Sequence, residues 1–194
     1  MVNINEKIKT MLAEKKSVVV AIDGRSASGK STLADGLAVD FDGMVIRMDH
    51  FFLPMELRGE KRVNVHYERF LEEVYPFIKQ QMPFSYRVFD CSRMDYHGII
   101  EIIFRPLIII EGVYSQLPYW DDIIDLRVFC DIDAETQKER IINRNGLEQY
   151  KMFRDKWIPL EEAYFKEYDI KENCDVIIGE IAISPQPNTL HYIL

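Results

Sequence analysis

Gly24-Arg25-Ser26-Ala27-Ser28-Gly29-Lys30-Ser31 matches the pattern G-x-x-x-x-G-K-[ST] without a gap. In such a loop the glycines let the backbone approach a ligand closely, and the peptide N–H groups converge on an anion. Lys30 brings a positive charge to the β- and γ-phosphates, and Ser31 offers a hydroxyl to Mg²⁺. The flanks agree with that reading. Ser17-Val18-Val19-Val20-Ala21-Ile22 is a β-branched run of the kind that forms a fully buried strand. Thr32 to Ala38 carries Leu33, Leu37 and Ala38 at helical spacing. Strand, glycine loop and helix start together set a phosphate on a helix N-terminus. The candidate phosphate ligands are therefore Gly24, Ser26, Ala27, Ser28, Gly29, Lys30, Ser31 and Thr32.

Outward from the loop, strand-like runs alternate with helical patterns. Met44–Met48, Leu107–Ile110, Leu126–Cys130 and Asp175–Ile178 read as further strands. Helices are expected over about Tyr67–Gln81, where Pro76 weakens or bends the helix, over Ala134–Asn143, stopped by Asn145-Gly146, and over Pro159–Tyr168. Phe84–Phe89 and Gly98–Phe104 read as two extended segments forming a ribbon. Strands separated by helices imply right-handed crossovers and a parallel sheet. The expected fold class is α/β: three layers around a mostly parallel five-stranded sheet, as in phosphate-loop nucleoside and nucleotide kinases. One domain is expected, with an N-terminal helix over 1–16, a β-ribbon insertion over 84–104, a short lid over 140–158 and a tail over 180–194.

Composition narrows the function classes. Hydrophobic residues make up 47% of the 194, which supplies a sizeable core and argues against disorder. A formal net charge of −8 speaks against a nucleic-acid surface, yet a local cationic loop suffices for ATP. Cys91, Cys130 and Cys174 are odd in number and far apart, so neither a disulfide framework nor a zinc site is expected. His50, His66, His97 and His191 are equally scattered. Residues 1–16 read as an amphipathic helix rather than a secretory signal, and the apolar run ending at Val113 is too short to span a membrane. A cytoplasmic protein with no membrane partner is expected, and a homo-oligomer is compatible with the chain.

In an open α/β sheet, ligands sit at the carboxyl ends of the strands. Two acidic residues fall there beside the loop. Glu111 follows four apolar residues, and its choices are to hold Mg²⁺ with Ser31 or to cap a helix after Gly112. Asp49, in Met48-Asp49-His50-Phe51-Phe52, is either a general base toward an acceptor hydroxyl or a turn residue. Phe51 and Phe52 are either core or one wall of an acceptor pocket.

With these residues in view, the chain resembles the uridine kinase-like family, whose relatives include phosphoribulokinase and pantothenate kinase. The resemblance covers about Val18 to Ile178. It rests on the loop, on Met48–Phe52 as an Asp-x-Phe-Tyr-like element, on Ile110-Glu111-Gly112-Val113, on Phe129-Cys130-Asp131-Ile132-Asp133-Ala134, and on the arginines Arg140 and Arg144. It implies that Asp49 is the catalytic base, and that Arg140 and Arg144, sharing a helix face at i and i+4, reach phosphates from a lid. The alternative for these arginines is a surface pair with Glu135, Glu139 or Glu148. Arg154, in the mixed segment Arg154–Glu162, is a further lid candidate, the alternative being a plain helix–loop docking segment. The departures lie on the acceptor side. His66 in Asn64-Val65-His66-Tyr67 stands where uridine kinases have an aspartate for ribose hydroxyls. Ile141 replaces a second lid arginine. Phe89-Asp90-Cys91-Ser92-Arg93 keeps Asp90 but lacks a tyrosine. Phe52, His66, Asp90 and Arg93 remain the acceptor candidates.

These residues predict an ATP- and Mg²⁺-dependent kinase acting on a small hydroxyl compound. A uridine kinase-like nucleoside 5′-hydroxyl leads. The alternatives are a pantothenate- or sugar-like acceptor, and an ATPase or switch without any acceptor. No Asn-Lys-x-Asp element of a guanine-specific switch is present.

Overall fold

A computed structural model describes residues 4–54, 57 and 63–179. The expected tail over 180–194 and the loop residue Gly59 lie outside the described residues. Five parallel strands make the main sheet: β1 (Val18–Gly24), β2 (Met44–Arg47), β5 (Leu107–Glu111), β6 (Leu126–Cys130) and β7 (Val176–Ile178). Their order is β2-β5-β1-β6-β7, so the loop-bearing strand is central. Val18 pairs with Leu107 on one side, and Val20 with Leu126 on the other. All of β1 is buried, as its unbroken β-branched run requires for a strand covered on both faces.

The two faces carry different cores. On one, Val18, Val20 and Ile22 meet Ile8 of α1 (Ile4–Glu14) and Ala34 and Leu37 of α2 (Lys30–Asp40). On the other, Val19 belongs to an aromatic cluster with Phe51, Phe70, Trp120, Phe129 and Phe165. Each buried Val or Ile contributes about 1.5–3 kcal/mol relative to exposure. The sheet is thus the middle of three layers, in agreement with the α/β class read from the sequence.

The helix expected over Tyr67–Gln81 is two helices, α3 (Tyr67–Glu73) and α4 (Tyr75–Gln80), broken at Val74 (φ −128°, ψ −58°). Pro76 lacks the N–H that would bond Glu72 and its ring crowds that carbonyl, so it sits instead in the first turn of a new helix. β3 (Phe84–Asp90) and β4 (Asp95–Ile102) form a separate antiparallel pair, and β4 begins three residues before the expected Gly98. A 3-10 turn over Pro118–Ile123, absent from the sequence reading, drops Trp120 into the aromatic core.

α5 (Ala134–Asn145) starts where the Asp133 carboxylate accepts the N–H groups of Glu135 and Thr136, each at 3.0 Å, and it ends at Gly146. It runs two residues past the expected end. The segment after it is helical throughout: α6 (Leu147–Met152), a π-helical turn over Phe153–Trp157, and α7 (Ile158–Glu167) with Pro159 in its first turn. Among the described residues no helix is long and apolar enough to cross a membrane, and all three cysteines are free thiols.

Candidate active site at the carboxyl edge of the sheet

The loop between β1 and α2 is held from several sides. Lys30 is buried, and its ammonium donates to the carbonyls of Gly24 and Arg25, both at 2.8 Å. Two of its three N–H bonds thereby fix the side chain across the loop, with one left for an anion. From α5, Gln137 Nε2 donates to Ser26 O (3.0 Å) and Arg140 Nη1 to Ala27 O (3.3 Å). Those contacts support Ala27 in a left-handed conformation (φ 64°), which costs a non-glycine residue on the order of 1 kcal/mol. The Ser28 hydroxyl is buried in the loop without a hydrogen-bond partner among the described residues. An orphaned hydroxyl in such a loop suits a phosphate oxygen.

Glu111 ends β5 beside both β1 and β2, in register with Ile22 and Arg47. Its Oε1 accepts the Ser31 hydroxyl at 3.0 Å, and its Oε2 accepts Arg47 Nη1 at 3.1 Å. Arg47 also reaches Asp35 at 2.6 Å. Burial pushes the Glu111 carboxyl pKa up, and the nearby Asp49 charge adds to that; Lys30, Arg47 and Ser31 oppose it. Ser31 and Glu111 together present hard oxygen donors at one spot. Among the described residues no group of three His, Cys, Asp or Glu could hold a metal. A donor set of one hydroxyl and one carboxylate fits Mg²⁺, which keeps waters and shares substrate phosphates rather than filling a protein cage.

Asp49 is exposed on the 3-10 turn Met48–Phe51 that leaves β2 directly. The turn lies close over the end of β5, because a Cβ on Gly112 (φ 126°) would come within 3.0 Å of Met48 Cβ. Only a glycine admits both that approach and that φ. Arg144 of α5 completes this corner. Much of its side chain meets solvent, yet desolvation of its guanidinium lowers its pKa, while the Asp49 and Glu161 charges act the other way. Arg154 lies exposed and pairs with its neighbour Asp155 at 2.6 Å.

The acceptor candidates divide. His66 immediately precedes α3 and donates its backbone N–H to Phe51 O (2.6 Å), and Phe52 bridges Val65, so both adjoin the Asp49 turn. Asp90 and Arg93 bond within the β3–β4 turn. Asp90 Oδ1 accepts Ser92 N–H at 2.8 Å and its hydroxyl at 2.6 Å, and Arg93 lies 3.5 Å from Asp90 Oδ2.

Several residues of the site escaped the sequence reading. Arg69 is buried and donates to His50 O (3.3 Å), to Arg87 O (2.5 Å) and to Glu73. It thereby ties the Asp49 turn to the β-ribbon. Glu161 is buried and accepts both the Ser26 N–H (3.0 Å) and the Ser26 hydroxyl. Next to it, Glu162 takes Arg25 Nε at 2.7 Å, and Asp131 takes Arg25 Nη1 at 2.9 Å. The signal for Glu161 was its place at i+3 from Ile158 and i−4 from Phe165, a carboxylate on an apolar stripe.

Asp23, directly before the loop, is fully buried, where it accepts the Gly24 N–H (2.7 Å), the Tyr164 hydroxyl (2.8 Å) and the Gln116 N–H (3.3 Å). Burial raises its pKa to about 6, against the opposing pull of those bonds and of Lys30. Between about pH 4 and 6 the unfolded chain loses this proton while the folded chain keeps it, so stability falls as pH rises through that window. The loss reaches about 3 kcal/mol above it. Asp23→Asn removes the titration. Denaturant midpoints of the variant relative to the parent should therefore improve steadily from pH 4 to pH 6 and level off above; a constant difference across that range would refute the assignment.

No family model matches the chain. By sequence it is similar to the uridine kinase of Latilactobacillus sakei subsp. sakei (strain 23K), at 23% identity over 190 residues, covering 88% of this chain and 89% of the relative. It is similar in the same way to the uridine kinase of Bacillus thuringiensis (strain Al Hakam), at 24% identity over 191 residues, with 87% and 88% covered. Among solved structures, one described as a "Possible Uridine Kinase from Bacillus stearothermophilus" superposes with a TM-score of 0.66 at 21% identity, covering 90% of this chain and 96% of that one.

Proposed function

We propose that this chain is a uridine kinase-like P-loop kinase that transfers the γ-phosphate of ATP to a hydroxyl of a small metabolite. The observation that carries the reading is the placing of Asp49 at one carboxyl edge with Lys30, Ser31 and Glu111. A loop alone binds a nucleotide. An exposed carboxylate beside the metal-binding pair adds a proton acceptor for an incoming alcohol.

In this reading the loop amides and Lys30 hold the β- and γ-phosphates, and Ser31 and Glu111 would hold Mg²⁺. The metal ion, when bound, supplies neutralisation of phosphate charge. Asp49 orients the acceptor hydroxyl and takes its proton as the new P–O bond forms and the bond from the γ-phosphorus to the bridging oxygen breaks, with ADP as the leaving group. Arg144 covers the transferring group, with Arg140 set against the loop at Ala27. Most of the acceleration comes from positioning and fixed charge in a partly water-excluded corner.

A nucleoside acceptor is the leading class, since the relatives named above are uridine kinases. A second reading, another hydroxyl metabolite such as a pantothenate- or sugar-like compound, draws on two features. His66 replaces the expected aspartate, and Asp90 Oδ1 already serves its own turn. A panel of uridine, other nucleosides, pantothenate and sugars, with ADP release followed, separates the two. Release that depends on one acceptor class identifies it. ATP turnover at the same rate without any acceptor would instead mark an ATPase and overturn the kinase reading.

A further inference from the structure

Glu161 is placed where a phosphate-binding loop has least use for a carboxylate. It is 7% exposed, and both its hydrogen-bond partners are donors of one loop residue, Ser26. A serine hydroxyl has a single proton to give, and here it goes to Glu161. Burial pushes the Glu161 carboxyl pKa up, and the charge of Lys30, the cation that reaches toward the β- and γ-phosphates, opposes that push. Glu161 thus engages two of the groups that would serve a terminal phosphate: the Ser26 donors by hydrogen bonds, and Lys30 through its field.

The element that carries it matters too. Glu161 lies in the first turns of α7, which continues without a break from the π-helical turn and the segment behind Arg144. A π-turn is a local strain point often found beside functional sites. Glu162, the next residue, grips Arg25 from the outside and is half exposed. One helical turn therefore holds two consecutive loop residues, but only Glu161 does so with a buried charge facing the loop donors.

We propose that Glu161 is an internal counter-anion that competes with the terminal phosphate of the nucleotide for Ser26 and Lys30, and so sets how strongly the loop discriminates triphosphate from diphosphate. The proposal rests on the nucleotide-binding reading above. A buried carboxylate opposes each added phosphate charge, and the opposition is largest for the phosphate nearest to it. Glu161 is in these terms a specificity-determining residue, and it favours an unloaded loop after transfer.

The test is calorimetric binding of ADP and of a non-hydrolysable ATP analogue, each with Mg²⁺, to the parent, to Glu161→Gln and to Glu162→Gln. The glutamine at 161 keeps the shape and one acceptor for the Ser26 N–H while removing the charge, and unchanged thermal melting checks that the variant is folded. Glu161→Gln should tighten the triphosphate analogue about tenfold and ADP clearly less, while Glu162→Gln leaves the ratio of the two affinities unchanged. Equal changes for both ligands, a weakening of the triphosphate, or the same ratio shift in Glu162→Gln would each overturn the proposal. A parent that binds neither nucleotide overturns the kinase reading itself, and this proposal with it.

Discussion

Asp49→Asn is expected to lower acceptor-dependent phosphoryl transfer by about 10²- to 10⁴-fold, the usual weight of a positioned general base. Nucleotide binding should survive. Asp49 is exposed and makes no hydrogen bond or ion pair with another described residue, so its replacement removes no structural contact among them. Its charge does reach Glu111, where it helps to hold the carboxyl pKa up. Taking that charge away lets Glu111 ionise more readily, so Mg²⁺-nucleotide affinity should stay level or rise. The measurement is paired: ADP release with the best acceptor, and calorimetric affinity for a non-hydrolysable ATP analogue. A variant that transfers as fast as the parent would remove Asp49 from the chemistry. One that loses transfer and nucleotide affinity together would make it part of the binding site instead.

Gly24→Ala is expected to be the most damaging single methyl in the donor half. A Cβ at that position would stand 2.1 Å from the Cys130 carbonyl oxygen and 2.7 Å from its nitrogen. Both atoms are backbone of β6, the strand paired with β1 at that residue, so neither can swing aside. The residue also holds φ +131°, a conformation a side chain strongly disfavours. Steric and conformational terms together place the loss on the order of 4 kcal/mol. For a chain of this size that corresponds to a melting point lower by about 10 °C. Gly36→Ala is the matched comparison. Gly36 is an exposed position inside α2, and a methyl added there would meet nothing within 4 Å, so alanine should add about 0.5–1 kcal/mol. Thermal unfolding of the two variants side by side checks both signs. A Gly24→Ala protein that melts with the parent would mean that β1 and β6 do not meet as described.

Most of the sheet was legible because its strands announce themselves. Val18 to Ile22 and Leu107 to Ile110 are short, β-branched and bounded by charge or glycine, and burial on both faces leaves such runs no other use. The loop was legible because its pattern fixes residue types at fixed spacing. The break at Val74 was half visible: Pro76 told of a disruption, but whether the chain bends or restarts depends on packing against Trp120 and the ribbon. The helical stretch through Leu147–Trp157 was missed because it lacks an apolar stripe; only Phe153 in it is buried. Within the site, Glu111 and Lys30 followed from their places at strand and helix ends. Arg47, Arg69 and Glu161 did not, because each acts through a partner far away in sequence. Arg47 needs Glu111, Arg69 needs the carbonyl of Arg87, and Glu161 needs Ser26.

The two halves of the corner are built on different footings. Glu111 ends β5 of the five-stranded sheet, and Lys30 and Ser31 open α2, which packs on one face of it. The ribbon of β3 and β4 belongs to no part of that sheet; it joins the Asp49 turn through the Arg69 fork and the stacked rings of Phe51 and Tyr86. Arg69 grips main-chain oxygens there, which any residue supplies. The exposed side chains of β4 can therefore be exchanged without loosening this grip, whereas Tyr86 is fixed to Phe51, so change on that outer strand leaves the loop corner unedited.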